Sequence, residues 1–240
     1  MAQHQCESCH GPGGEHGKLR LRRGEVRAPM LNFGEDAWTP VAVQNEMCQS
    51  CHRQHSRIQW EGSTHDFNEV GCASCHDVHR GHDRVLAERE QAEVCYECHL
   101  HQRGQFEQFS HHPVREGQMV CSDCHSPHAT SGSELLVKAS MREGCTECHA
   151  EKRGPFLWEH APAAEDCGLC HRPHGSGQPA LLKRRPPQLC QECHSQFGHP
   201  SVAYDGSFAA GSRFVTSQGC LNCHSQVHGS NHPSGVSLAR

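Results

Sequence analysis

The sequence predicts a mostly irregular chain with short α-helices and almost no β structure, wound around bound prosthetic groups rather than around an apolar core. Three observations carry that expectation. All eighteen cysteines fall in one recurring motif, the aliphatic residues of an ordinary core are scarce, and 23 Gly and 13 Pro break the chain into short pieces.

The motif is Cys-x-x-Cys-His, and it recurs nine times: Cys6/Cys9/His10, Cys48/Cys51/His52, Cys72/Cys75/His76, Cys95/Cys98/His99, Cys121/Cys124/His125, Cys145/Cys148/His149, Cys167/Cys170/His171, Cys190/Cys193/His194 and Cys220/Cys223/His224. At this Cys and His content, random placement yields on the order of a tenth of one such motif. Two thiols at i and i+3 add to the vinyl groups on one edge of a porphyrin, and the adjacent imidazole then reaches the iron from one face. The expected cofactors are nine covalently bound haem c groups, with the nine motif histidines as proximal ligands. A structural zinc site needs four ligands but no histidine directly after the second Cys. A disulfide framework has no use for those histidines either, and a thioredoxin-like role needs a βαβ pattern that is missing. The fold class is a multihaem cytochrome c.

Composition agrees. Once the cysteines are set aside as thioethers, the hydrophobic share falls from 35% to about 27%, and Ile58 is the single isoleucine. A chain of this length would otherwise bury an aliphatic core, so the haems must be the core. About 27 residues per haem can wrap little more than one macrocycle. Helix is expected at Val41 to Met47, Arg84 to Val94 and Glu134 to Met141, each running into a motif. The remainder reads as loop and turn.

The formal charge is −5, and each haem would add two propionates. Eighteen Arg against four Lys suits bidentate gripping of carboxylates, although ordinary solvated Arg is the default for any single one. The basic run Lys18 to Arg27 and the cluster Lys183, Arg184, Arg185 are short and interrupted, so neither reads as a nucleic-acid site. Met1 to Gln5 shows no signal-peptide pattern although covalent haem attachment occurs outside the cytoplasm. No stretch approaches the roughly 20 apolar residues of a membrane helix.

Successive motifs begin 42, 24, 23, 26, 24, 22, 23 and 30 residues apart. His79, His128 and His174 lie three residues after a motif histidine and His228 lies four after, whereas His65 and His112 lie thirteen after theirs and His160 eleven. The unit is therefore a haem pair within one elongated domain over 1–240, with pairs starting at Cys48, Cys95, Cys145 and Cys190. The motif at Cys6 stands in the place of a second member, so the expectation is a tenth motif, its first member, before Met1, with a natural nine-haem protein as the alternative.

Fifteen histidines lie outside the motifs. Nine stand where a sixth iron ligand is needed: His16, His65, His79, His112, His128, His160, His174, His199 and His228. Supply equals demand, so no iron keeps an open position, and electron transfer rather than catalysis is expected. A histidine three residues past the proximal one cannot carry the chain around its own macrocycle, so His79, His128 and His174 should serve neighbouring haems. For His4, His55, His82, His101, His111 and His232 a surface role is favoured.

Four strings are more specific than the motif: CESCHGPGGEH at Cys6 to His16, GPFLWEHAPAAEDCGLCHRPH at Gly154 to His174 followed by Gly175 and Ser176, LCQECH at Leu189 to His194, and CLNCHSQVHGSNHPSG at Cys220 to Gly235. Over essentially the whole chain the sequence resembles the decahaem c-type cytochromes of the MtrA and DmsE type, themselves similar to two fused copies of a pentahaem nitrite-reductase donor. The resemblance implies a rod-like bis-His haem wire, periplasmic or threaded into an outer-membrane porin, that takes electrons from periplasmic or inner-membrane cytochromes. It would pass them to an extracellular multihaem cytochrome, and onward to acceptors such as metal oxides; iron-oxidising relatives run the flow inward. The sequence departs from that family in carrying nine motifs rather than ten.

A haem is about 10 Å across, so nine in a row exceed the roughly 30 Å of a bilayer's apolar layer. An irregular polar chain contacts no lipid and requires a protein sheath. A conduit component inside a β-barrel is thus the leading expectation, with a free periplasmic shuttle to a terminal reductase as the alternative. A reductase would want a CxxCK motif or fewer spare histidines, and a metal store would lack a Soret band. The insert Gly11 to Met47 and the loop Ser195 to Gly219, with Phe197, Tyr204, Phe208 and Phe214, are the expected docking elements.

Overall fold

The computed structural model describes residues 6–18, 20–194 and 219–239. Among them are nine short α-helices: α1 (Glu7–His10), α2 (Val41–Gln49), α3 (Thr64–Phe67), α4 (Cys72–Cys75), α5 (Glu88–Tyr96), α6 (Leu100–Phe106), α7 (Met141–Cys148), α8 (Ala161–Glu165) and α9 (Gln188–Gln191). The only ladder described joins two-residue strands, β1 (Ser110–His111) and β2 (Gly175–Ser176), antiparallel with Ser110 opposite Ser176 and His111 opposite Gly175. The chain is mostly irregular, as a multihaem cytochrome c requires.

Local structure alternates with the motifs. α2, α5, α7 and α9 lead into the motifs at Cys48, Cys95, Cys145 and Cys190, whereas those at Cys121, Cys167 and Cys220 begin on single 3₁₀ turns, Cys121–Asp123, Cys167–Leu169 and Cys220–Asn222. The helix expected at Val41 to Met47 is α2, and Arg84 to Val94 becomes a 3₁₀ turn, Arg84–Leu86, followed by α5. The expectation at Glu134 to Met141 is corrected. Glu134 and Leu135 take left-handed φ values of 53° and 54°, which break a right-handed helix. The helix, α7, begins instead at Met141, where the Ser140 hydroxyl accepts from the Glu143 N–H.

Two compact units emerge, Met1–Cys95 with His125–Ser131, and Tyr96–Cys124 with Gly132–Arg240. Among the described residues neither has an aliphatic core. The buried hydrophobic residues among those described are Trp60, Val94, Tyr96, Phe106, Val114 and Ala129. Polar staples replace apolar packing: buried Asn45 on α2 donates to the Val70 carbonyl at 3.1 Å and accepts from the Cys72 N–H at 2.8 Å, tying one motif to the next. No described helix is long and apolar enough to cross a membrane.

Candidate haem-binding sites

In seven motifs the histidine N–H donates to the carbonyl of the first cysteine at 2.8–3.0 Å, at His10, His52, His76, His149, His171, His194 and His224. One helical turn thus presents residues i, i+3 and i+4 on a single side, with both sulfurs and the imidazole facing one ligand. His99 caps α6, and His125 follows the turn at Cys121–Asp123. None of the eighteen cysteines forms a disulfide. Sulfurs of successive motifs lie near one another, Cys48 by Cys72, Cys145 by Cys167 and Cys190 by Cys220.

Burial divides the two cysteines of a motif. The second is exposed at Cys9, Cys51, Cys98, Cys124, Cys148, Cys193 and Cys223, and so is the first at Cys6, whereas the others are half-buried. About 27 residues per haem supply a single layer of chain, which packs the first cysteine against the next motif and leaves the second at the surface, where a macrocycle edge would lie.

Five pairs of histidine rings each join one motif imidazole to one spare imidazole. The centroid separations are 5.8 Å for His10–His79, 6.1 Å for His76–His128, 6.3 Å for His112–His149, 6.0 Å for His160–His194 and 6.2 Å for His171–His228. Two imidazoles sharing one metal at about 2.0 Å per bond, with about 1.1 Å from nitrogen to ring centre, would stand about 6.2 Å apart. Each spare histidine reaches a motif two away in sequence. His79, His128 and His228 face upstream; His112 and His160 face downstream. His52 and His16 meet no other imidazole among the described residues; His199 lies outside them.

The Nδ1 atoms are taken up by the chain. His65, His112 and His160 bond the carbonyls of Pro127, Pro173 and Val227 at 2.8, 2.6 and 2.8 Å. Those carbonyls belong to the residues immediately before His128, His174 and His228, so the two classes of spare histidine are strapped together. The strap continues in backbone pairing two residues away on each side, Ser110 with Ser176 and Trp158 with Ser230. His10, His16, His171 and His224 bond the carbonyls of Leu31, Ala28, Ala180 and Ser237 at 2.7–2.8 Å, and His174 pairs with Gln105 Oε1 at 2.9 Å. With Nδ1 engaged, Nε2 is left for a metal.

His128 and His228 are held below the ordinary imidazole range, chiefly because burial disfavours the charged form, helped by nearby His76 and Arg57 in one case and Lys152 and His171 in the other. A ligand must be neutral, so the shift suits metal binding. Three buried donors find no acceptor among the described residues: Arg57 Nε, Trp60 Nε1 and Arg142 Nε. The Trp60 ring lies 6.4 Å from that of His65 and 6.2 Å from that of His128. Buried donors need partners, and the propionates of a haem seated there would supply them. Motif geometry, imidazole spacing, engaged Nδ1 atoms and orphan donors all fit haem c.

Sequence reasoning missed the straps and the left-handed turns that orient the motif imidazoles. The turn that offers the Ala180 carbonyl to His171 has φ values of 54° and 59° at Ala180 and Leu181, and Leu238, beside Ser237, has 56°. The signals were present as His-Gly-Ser at 174–176 and 228–230 and as leucines following a Ser-Gly pair.

A doubled CXXCH motif family matches residues 111–154 and 160–199, and a cytochrome c-type protein NrfB-like family matches residues 6–91. The chain is 50% identical to the multiheme cytochrome MtrA of Shewanella baltica over 245 aligned residues, which cover 100% of this chain and 72% of that protein. It is 32% identical to the cytochrome c-type protein NrfB of Escherichia coli and 29% identical to that of Haemophilus influenzae, each over 41% of this chain and over 50% and 45% of those proteins. With motifs, ring pairs and likeness in agreement, the chain belongs to the MtrA-type multihaem c-type cytochromes, electron-transfer proteins that carry covalently bound haem c.

Proposed function

We propose that the chain carries electrons along nine haem c groups, each iron held between a motif histidine and a spare histidine, as the haem wire of an outer-membrane conduit. The pairing of one motif ring with one spare ring, five times over, carries the proposal. Haem c supplies a one-electron iron couple at each site. The chain's own residues do the rest: cysteines fix each group covalently, paired imidazoles close both faces, and carbonyls on Nδ1 set ring orientation. Spare histidines that reach two motifs away brace the sites against one another, and the nearness of sulfurs in successive motifs favours transfer in motif order. With both faces closed no substrate binds iron, which supports carrier over enzyme.

The conduit role rests on likeness to MtrA and on the need of an irregular polar backbone for a sheath. In that role the chain sits at the periplasmic side within an outer-membrane β-barrel, receives electrons from periplasmic or inner-membrane cytochromes, and meets an extracellular multihaem cytochrome that deals with metal oxides or iron. Within the insert Gly11 to Met47, Val26 and Trp38 are 89% and 59% exposed and suit partner contact. Of the second docking element, Ser195 to Gly219, all but Gly219 lies outside the described residues.

The NrfB-like match over residues 6–91 favours a second reading, a periplasmic shuttle to a terminal reductase. The two part in one experiment. Tagged haem-loaded protein is purified from outer membranes and reconstituted in liposomes with entrapped methyl viologen. Co-purification of a β-barrel protein, and oxidation of reduced viologen by external ferric citrate only when both are present, is expected. Recovery solely from the soluble periplasmic fraction, with no transfer across the bilayer, would leave the shuttle.

A further inference from the structure

Nine of the candidate iron ligands have a described Nδ1 hydrogen bond, and in eight the partner is a neutral oxygen, either a backbone carbonyl or the Gln105 amide. The ninth is His76, whose Nδ1 lies 2.8 Å from Oδ2 of Asp83. The contrast lies within one repeating design. His171 and His224, two other motif histidines, use the carbonyls of Ala180 and Ser237 from the left-handed turns downstream. After His76 the corresponding stretch places the Asp83 side chain where those turns place a carbonyl.

The carboxylate is built in. Its side chain is 20% exposed, and its other oxygen accepts from the Asp77 N–H at 3.3 Å. The guanidiniums of Arg80 and Arg84 lie 3.6 Å from Asp77, so the neighbouring carboxylate takes their charge. A second motif histidine, His149, has Glu151 near its Nδ1, but at 4.0 Å and with both side chains more than half exposed. That distance is not a hydrogen bond.

We infer that Asp83 holds the haem seated between His76 and His128 at a lower reduction potential than a carbonyl partner would. The inference rests on the reading that these two imidazoles, 6.1 Å apart, share one iron. A carboxylate accepting from Nδ1–H gives the ring imidazolate character, makes Nε2 a stronger donor and stabilises the ferric over the ferrous charge. The negative charge, half-buried beside the ring, acts in the same direction. Arg57 on the His128 side opposes it, but only Asp83 touches a ligand. Asp83 is thus a positioning and tuning residue for this site.

The test uses the full haem-loaded protein in a potentiometric titration followed by absorbance and EPR. Asp83→Asn keeps an oxygen for the Nδ1–H and removes the charge; Asp83→Glu restores it. One haem's share of the absorbance change should move to higher potential in Asp83→Asn and return in Asp83→Glu, with haem content and low-spin EPR unchanged. Unmoved potentials with intact ligation would overturn the inference, and so would loss of one low-spin signal in Asp83→Asn, which would make Asp83 a scaffold alone. His128→Met tests the underlying reading separately: if every spectrum and potential stays the same, His128 ligates no iron.

Discussion

Replacing Gly175 by alanine should uncouple two candidate ligands at once. A Cβ built on Gly175 falls 1.9 Å from the Gln105 carbonyl oxygen and 2.7 Å from its carbon. Both are backbone atoms at the end of α6, so no side chain can swing away. An ordinary contact therefore demands a displacement of at least about 1 Å, and overpacking of this kind costs about 1–3 kcal/mol. In a chain of this size that lowers Tm by roughly 2–12 °C. The strand that must retreat directly follows His174, whose ring is fixed by Gln105 Oε1, and Pro173, whose carbonyl holds the His112 ring. His112 faces His149 at 6.3 Å, and lengthening one iron–nitrogen bond by about 1 Å ends ligation. The assay is ferric EPR and thermal melting of the haem-loaded variant beside Gly177→Ala, whose Cβ meets nothing within 4 Å. New high-spin signal and a lower Tm in Gly175→Ala alone are expected. A variant that is fully low-spin and melts like the parent would refute the reasoning.

Four further outcomes follow from the same geometry. Intact mass should exceed the polypeptide by nine haem masses with no titratable thiol, since eighteen cysteines fill nine motifs; seven or fewer haems in matured protein would contradict this. His160→Met exchanges the ring that faces His194 for a thioether, so one haem should change its spectrum and rise in potential on electrochemical titration. Trp60→Phe deletes the orphan Nε1–H and, at this buried position, part of the ring; if a propionate accepts from it, the haem-loaded variant loses at least about 1.5–3 kcal/mol in denaturant unfolding, and no loss would remove Trp60 as a haem contact. His111 is raised by its bond to the Gln108 carbonyl and then by Glu116. Its contribution to stability is therefore full below the ordinary imidazole value of about 6.5 and fades as pH climbs through the raised one, and His111→Gln should flatten that part of the Tm–pH curve.

The haem motifs were legible because their chemistry is local: Cys, Cys and His must share one helical turn, and only nearest neighbours in sequence decide that. The alternation of two motif classes was legible too, from the spacing of spare histidines. What each spare ring faces was not, because a reach of two motifs is settled by straps between distant residues, such as His160 to Val227 and Trp158 to Ser230. The unequal burial within a motif, half-buried Cys48 beside exposed Cys51 for example, was hidden for the same reason, since it depends on which sulfur meets the next motif. Helix at Glu134 to Met141 was misjudged for a related reason. Its residues favour helix by composition, but a neighbouring backbone requirement wins: the Val137 N–H is taken by the Cys124 carbonyl at 2.9 Å, and left-handed Glu134 and Leu135 turn the chain to meet it. Nothing in the sequence marks Asp83, and only its position against His76 distinguishes it.

The most direct measurement is ferric EPR on the fully loaded chain, with spin integration against total iron. Ligation of every iron by two imidazoles predicts low-spin signals that account for all nine irons and no high-spin component. High-spin iron amounting to one haem or more would mean an open coordination position, and with it a site for substrate instead of an uninterrupted chain of carriers.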